Sequence, residues 1–331
     1  MDVFSDVIAT MRAGRAKFTR TRRSGVWGNR FGPDPGAGFH VVLGGGCWLI
    51  PPAGAPVRLS AGDVVFLPHG AQHGLSDSPD RTLASLPPAP PPGSPEMRAL
   101  ETGSAAAPAT PTDPGEVRML CGAYRLDRGQ THPFLRGLPE VIHLPARLGR
   151  HASLRSAVDL LSADLEQDRP GAEAALPALL DLLLVYLLRA WLEEQAELRP
   201  GNGWCAALGD PAVAAALNHI HRQPAHPWTV QALGTAVGLS RTAFAKRFTA
   251  YVGQSPMAYL SWWRMNTAAR LLRADDSPLS AIAQQVGYTS EFAFSHAFKR
   301  AHGRAPGRFR REHAEERTGF EPSAGGGRTA G

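Results

Sequence analysis

The chain has 331 residues, 43% hydrophobic and 19% charged, which is enough for two or more globular domains and unlike a fibrous or wholly disordered polypeptide. Its formal net charge is +6. Three cysteines, Cys47, Cys121 and Cys205, are too few and too scattered for a disulfide framework or a CxxC metal site, so reduced thiols are expected.

The opening stretch MDVFSDVIATMRAGRAKF sets Val3, Phe4, Val7, Ile8 and Met11 at helical spacing and has no uninterrupted apolar core of a secretory signal. A short amphipathic helix and a cytoplasmic protein are expected. Next, FHVVLGGGCWLI carries two β-rich apolar runs around Gly44 to Gly46, the pattern of a hairpin. No Gly-Lys-Ser/Thr follows the glycine triplet, so it reads as a turn and not a phosphate loop. VRLSAGDVVFLP adds alternating and then continuous strand residues ending at Pro68.

GDVVFLPHGAQH, residues 62 to 73, resembles the second conserved motif of cupin barrels, with Gly62, Pro68, Gly70 and His73 at the expected offsets. VRMLCGAYRLD and EVIHLP then look like later strands of the same barrel. The resemblance implies a small-molecule pocket inside the barrel, lined by groups such as Phe39, His40, Trp48, Phe66 and His73. A metal-bearing cupin takes two histidines and a glutamate from its first motif, yet residues 20 to 39 contain neither residue type. Only His73 stands at a family ligand position, so no metal, cofactor or catalytic residue is expected, with His40 and His73 as the alternative metal pair. Cys47 and Cys121, on two of the strands, are the candidate redox residues.

Residues 86 to 116 are rich in Pro, Ala, Gly and Ser with few large apolar groups, and read as a disordered excursion. Residues 151 to 200 supply two helices, parted at Pro170 and Gly171. The second holds LPALLDLLLVYLLRAWL, where Asp181 and Arg189 leave only seven apolar residues between charges. That is far short of the roughly twenty a membrane span needs. A helix apolar on nearly every side must be covered by its own domain or by a second subunit.

The carboxy-terminal third is basic: residues 211 to 313 hold thirteen Lys and Arg against four Asp and Glu. It also repeats itself. In the first copy, Val230, Leu233 and Val237 give one helix face, Gly238 the turn, Ser240 a cap, and Phe244 and Phe248 the inner face of a second helix. The second copy has Leu279, Ile282, Val286, Gly287, Ser290, Phe294 and Phe298, with one extra residue in its turn. The outward faces carry Arg241, Thr242, Ala245, Lys246 and Thr249 in one unit, and Glu291, Phe292, Ser295, His296 and Lys299 in the other. Two helix-turn-helix units on one chain can enter successive major grooves roughly 34 Å apart. The stretch PMAYLSWWRMNTAARLLR, residues 256 to 273, is predicted to be the helix that joins them.

LSRTAFAKRFTAYVGQSPMAYLSWWRMNTAARLL followed by IAQQVGYTSEFAFSHAFKRAHGRAPGRFRR resembles the DNA-binding domain of AraC/XylS-type transcription regulators over about a hundred residues. The resemblance places base contacts at Thr242, Ala245 and Lys246, and at Phe292, Ala293 and His296. The amino-terminal half resembles the cupin-type sensor carried by a subset of that family. It implies an α+β multidomain protein: a cupin-like β-barrel with flanking helices (1–150), a helical dimerisation segment (151–200), an all-α domain of two helix-turn-helix units (211–313) and a disordered tail (314–331). The expected partners are double-stranded promoter DNA, RNA polymerase, an unidentified small effector and a second copy of the chain, and not a membrane. The alternatives are a cupin metalloenzyme, or a redox or metal sensor with nonspecific DNA affinity.

Overall fold

The computed structural model describes residues 3–11, 17–34, 36–91, 94–96, 116–125, 132–146, 150–167, 170–198, 203–274 and 276–318. The chain divides into two compact units, residues 4–205 and the segment from Ala206 onward.

The first unit begins with α1 (Val3–Met11), whose Val7 and Ile8 are buried as the periodicity predicts. Among the described residues nine strands follow: β1 (Lys17–Arg23), β2 (Gly28–Phe31), β3 (Gly36–Gly44), β4 (Gly46–Ile50), β5 (Val57–Ser60), β6 (Val64–Leu67), β7 (His73–Ser76), β8 (Val117–Arg125) and, after the short α2 (Pro133–Arg136), β9 (Ile142–Leu144). They form one five-stranded sheet in the order β1-β8-β3-β6-β9 and one four-stranded sheet in the order β2-β7-β4-β5.

The expected closed barrel is not what forms. Among the described residues no ladder joins the two sheets, and each keeps two edge strands. The stretch around Gly44 to Gly46 is not a hairpin either, since β3 and β4 lie in different sheets. The chain changes sheet at Gly45 (φ +74°), where a Cβ would overlap the Glu116 carbonyl oxygen. The sheet change interrupts the ladder between β3 and β4, and closure of a barrel requires one continuous ladder with a consistent stagger. The sheets instead share an apolar layer, to which one gives Val42, Val65, Leu67, Val117 and Met119 and the other Cys47, Leu49, Leu59 and Leu75. Alternation along each strand dictates this partition.

The segment expected to be disordered from residue 86 is ordered at its start. Leu86 is buried, the Arg30 amide donates to the Pro87 carbonyl at 2.8 Å, and Ala89 N–H donates to the Arg30 carbonyl at 2.7 Å. Residues 92, 93 and 97–115 of that excursion lie outside the described residues.

Two antiparallel helices, α3 (Ala152–Gln167) and α4 (Ala172–Leu198), complete the unit, with Pro170 and Gly171 (φ +88°) at the turn between them. They pack against β3 and β9 respectively. The Tyr124 hydroxyl on β8 donates to the Leu180 carbonyl of α4 at 2.7 Å, tying sheet to helix. Among the described helices α4 alone is long and apolar enough to cross a membrane, but Leu180, Leu183, Leu184, Leu187 and Leu188 are buried within the unit.

The second unit is all helical: α5 (Gly203–Gly209, shared with the end of the first unit), α6 (Pro211–Arg222), α7 (Val230–Ala236), α8 (Arg241–Val252), α9 (Pro256–Ala274), α10 (Leu279–Gln285), α11 (Glu291–His302) and α12 (Pro306–Thr318). The last of these continues past His313, into the segment expected to be a loose tail, of which residues 319–331 lie outside the described residues. Asp210 caps α6 by accepting from the Ala212 and Val213 amides, each at 3.0 Å. The long α9 buries Tyr259, Leu260, Trp263, Met265, Ala268, Ala269 and Leu272, which serve both flanking helix pairs.

Candidate nucleic-acid interface and the inter-sheet site

Each helix pair is built by the same local chemistry. In the first, Thr229 caps α7, Gly238 (φ +72°) turns the chain, and the Ser240 hydroxyl accepts from the Ala243 amide at 3.3 Å to start α8. Leu233, Phe244 and Phe248 are fully buried beneath. In the second, Gly287 (φ +81°) makes the turn, Ser290 caps α11 through the Ala293 amide at 3.4 Å, and Ile282, Val286, Phe294 and Phe298 fill the interior. The glycines are required because an L side chain at positive φ is strained.

With the phenylalanines turned inward, the opposite faces must be exposed. Arg241, Thr242, Ala245, Lys246 and Thr249 lie together and line one shallow open depression on α8. On α11, Glu291, Phe292, Ala293, His296 and Lys299 are exposed and Ser295 is half-buried. The residues expected to face DNA thus lie on the two solvent-facing helix surfaces.

Not every cation is available there. Arg247 pairs with Asp210 at 3.5 Å, while Arg304 and Arg308 both pair with Glu312. Arg241, Lys246, Lys299 and Arg300 are exposed without an ion-pair partner among the described residues. On α8 and α11 these four are the charges free to meet a polyanion, and Arg222, Arg270 and Arg311 are exposed elsewhere in the unit.

Sequence reasoning missed what fixes the two helix pairs relative to each other. Arg264, midway along α9, donates through Nε to the Pro224 carbonyl at 2.7 Å and through Nη2 to the His226 carbonyl at 2.9 Å. The same guanidinium lies over the Tyr288 ring in the turn of the second pair, 5.9 Å from its centroid. Gly287 completes the junction, since a Cβ on it would come within 2.9 Å of the Ala225 backbone. One planar side chain therefore binds the loop before α7 to the turn before α11. No spacing rule marks Arg264, because its partners are carbonyls in a loop forty residues away.

The residues expected to line one pocket in the first unit are divided by the sheets. His40 and His73 do come together, with Nε2 to Nε2 at 2.7 Å and the Phe31 ring stacked on His73 at 5.3 Å. His73 Nδ1–H donates to the Ala71 carbonyl at 2.8 Å, which makes its Nε2 the acceptor and His40 Nε2–H the donor. His40 Nδ1 is then a buried acceptor with no hydrogen-bond partner among the described residues. Phe39 and Phe66 pair in register with each other on the opposite sheet face, where Phe39 meets Tyr124 at 5.4 Å. Trp48 is on the outer face of the second sheet, with the Arg58 guanidinium 5.4 Å from its ring centroid.

Burial holds His40 well below its ordinary pKa of 6.5, and the neighbouring His73 adds to the shift. Burial lowers His73 as well. Both imidazoles are therefore neutral near pH 7. Burial also pushes the Cys47 and Cys121 thiols up to about 12, and Cys47 Sγ lies 3.9 Å from Met119 Sδ. Two protonated thiols in apolar surroundings are poor nucleophiles. No cluster of three His, Cys, Asp or Glu side chains able to hold a metal ion occurs among the described residues.

Comparison with known proteins fits this geometry. The family profile described as Cupin matches residues 2–193, and one described as Helix-turn-helix domain matches residues 233–312. The chain is 32% identical over 312 residues to an AraC-like transcription regulator of Streptomyces antibioticus, covering 94% of this chain and 99% of that protein. A second AraC-like regulator, from Streptomyces lividans, is 33% identical over 313 residues, covering 94% and 98%. The HTH-type transcriptional regulator AlkR of Acinetobacter baylyi is 26% identical over 323 residues, covering 94% and 100%. With two capped helix-turn-helix units behind a cupin-family domain, the chain belongs to the AraC/XylS-type transcription regulators that carry an amino-terminal cupin domain.

Proposed function

We propose that this protein binds specific promoter duplexes by placing α8 and α11 in successive major grooves, and that a signal received between its two sheets alters that binding. The observation that carries the reading is the pair of exposed recognition helices held in one fixed arrangement by Arg264. Unpaired Arg241, Lys246, Lys299 and Arg300 supply phosphate attraction, and Thr242, Ala245 and Lys246 meet base edges. Binding beside a promoter brings the chain within reach of RNA polymerase, the expected protein partner. The test is affinity for the DNA upstream of its own coding sequence against a scrambled duplex, across a salt titration. A preference that survives at higher salt supports a specific regulator; equal affinity at every salt concentration makes it a nonspecific binder.

Within the first unit, the neutral His40–His73 pair is the favoured place for a small effector, because His40 Nδ1 is a buried acceptor awaiting a donor. The redox alternative at Cys47 and Cys121 is disfavoured by thiols held near 12. An enzymatic role for His40 and His73 is disfavoured too, because two nitrogen ligands fall short of the three protein ligands of a catalytic zinc site.

The chain is further proposed to form a homodimer through α3 and α4. Leu160 and Leu182 are exposed on this helix pair at 53% and 37%, beside an otherwise buried leucine face. Molar mass by light scattering distinguishes dimer from monomer.

A further inference from the structure

Phe292 is the most exposed large aromatic side chain among the described residues, at 83%, and nothing in its own unit covers it. Its neighbours on α11 explain why this is no packing accident. Phe294 and Phe298 are fully buried one turn apart, so the fold already has the aromatic pair that each helix-turn-helix interior uses. Phe292 projects from the first turn of α11, two residues beyond the Ser290 cap. It shares its face with His296, one turn on, and Lys299. The structurally equivalent position in the first unit, two residues beyond the Ser240 cap, is Thr242. Both side chains offer apolar carbon where the N-terminal turn of a recognition helix meets base edges.

Charge settles which part of the duplex this turn faces. Glu291 immediately precedes Phe292 and is exposed, so a phosphate beside that turn is disfavoured. The cations Lys299 and Arg300 stand two turns later on the same helix, where backbone contact is favoured. The amino-terminal end of α11 is thus directed at the groove floor and its carboxy-terminal end at the phosphates. On the floor of the major groove, the one apolar group that any base pair presents is the thymine C5 methyl.

We propose that Phe292 is a specificity-determining residue that reads thymine by packing its ring on the C5 methyl group. This rests on the sequence-specific DNA binding proposed above. The second unit then discriminates by apolar contact, whereas the first does so with Thr242, Ala245 and Lys246.

The probe is a duplex recovered from a random 30-base-pair library by repeated selection on the full-length protein. Each thymine of that duplex is replaced singly by deoxyuridine, which removes the methyl and leaves pairing intact. Affinities are measured at fixed salt for the native chain, Phe292→Ala and Phe292→Leu. One buried methyl corresponds to about a fourfold change in binding constant. The native chain is expected to lose about fourfold at one or two clustered thymines, Phe292→Leu to lose less, and Phe292→Ala to be indifferent at those positions. Indifference of the native chain at every thymine, or equal sensitivity of Phe292→Ala, would overturn the proposal while specific binding stood. Failure of the native chain to prefer the selected duplex over its scrambled form removes the DNA-reading premise itself.

Discussion

His40 and His73 meet Nε2 to Nε2 at 2.7 Å in the layer between two sheets, one as donor and one as acceptor. Protonation of His73 at Nε2 removes the acceptor and ends this bond. Burial lowers both pKa values from 6.5, so the folded chain binds these protons less readily than the unfolded chain does. Their contribution to stability is complete above about pH 6.5 and is lost as pH falls toward the folded-state values. Thermal unfolding of the native protein between pH 8 and pH 5 should show a falling midpoint below about 6.5. His73→Gln should flatten that fall, and an unchanged slope would mean that other groups set it.

The helical unit carries a second acid-sensitive group. His302 stacks on Phe298 at 4.0 Å, approaches the Met265 carbonyl at 3.3 Å, and is held down to about 4 chiefly by burial, with Arg273 and Arg304 contributing. Its stabilising effect is likewise present above about pH 6.5 and lost as pH falls toward 4. Titration of its ring protons by NMR should show no charge at pH 6. A midpoint near 6.5 would contradict the burial of this ring.

Phe298 and Lys246 separate folding from binding. Phe298 is fully enclosed by Phe294, His302 and Phe309, and Phe298→Ala should cost about 3–5 kcal/mol in denaturant unfolding. Lys246 is exposed on α8, so Lys246→Ala should leave stability within about 0.5 kcal/mol. Its effect should appear as weaker DNA binding, with a salt slope smaller by about one if the ammonium meets a phosphate.

The two turn glycines should not be equivalent. Gly238 has open space around a would-be Cβ, so Gly238→Ala meets only the positive φ, about 1–2 kcal/mol. Gly287→Ala meets the same strain plus the Ala225 backbone and the Arg264 guanidinium. Its destabilisation in chemical denaturation should exceed that of Gly238→Ala by at least about 1 kcal/mol. Equal losses would show that the junction between the helix pairs yields freely.

Arg264 should be intolerant of lysine for a geometric reason. Its Nε and Nη2 serve two carbonyls at once while the plane covers Tyr288, and an ammonium cannot reproduce that fork. Arg264→Lys should weaken binding to a duplex carrying both half-sites about tenfold, as about 1.4 kcal/mol of ordering is lost. Binding to a duplex carrying one half-site should be nearly unchanged. Equal losses on both duplexes would assign Arg264 a local folding role only.

What the sequence made legible was local. Ser240, Ser290, Gly238 and Gly287 sit at caps and turns whose chemistry acts over four or five residues, and Phe244 with Phe248 shows its helical face directly. The sheets were legible only as strands. Alternation says that Phe39 and His40 point opposite ways, but not which of them meets the other sheet, and that choice divided the expected pocket. Gly44 to Gly46 has the same local pattern whether the chain folds back on itself or passes to another sheet. The difference is decided by Glu116, seventy residues on. Arg264 was invisible because it answers carbonyls in a loop that only the folded helices bring near.

Two open sheets in place of a closed cylinder carry a consequence for solubility. A cylinder has no margins, whereas β1 ends its sheet with one row of amide and carbonyl groups facing away from β8. Its sequence, KFTRTRR, carries Arg20 and the exposed Arg22 on that edge strand, while Arg23 donates to Asn29 Oδ1 at 2.7 Å. Mutual repulsion between two such strands opposes the edge-to-edge joining that would thread copies of this protein into filaments. The arginines that interrupt a β-prone strand thus guard the border left open among the described residues.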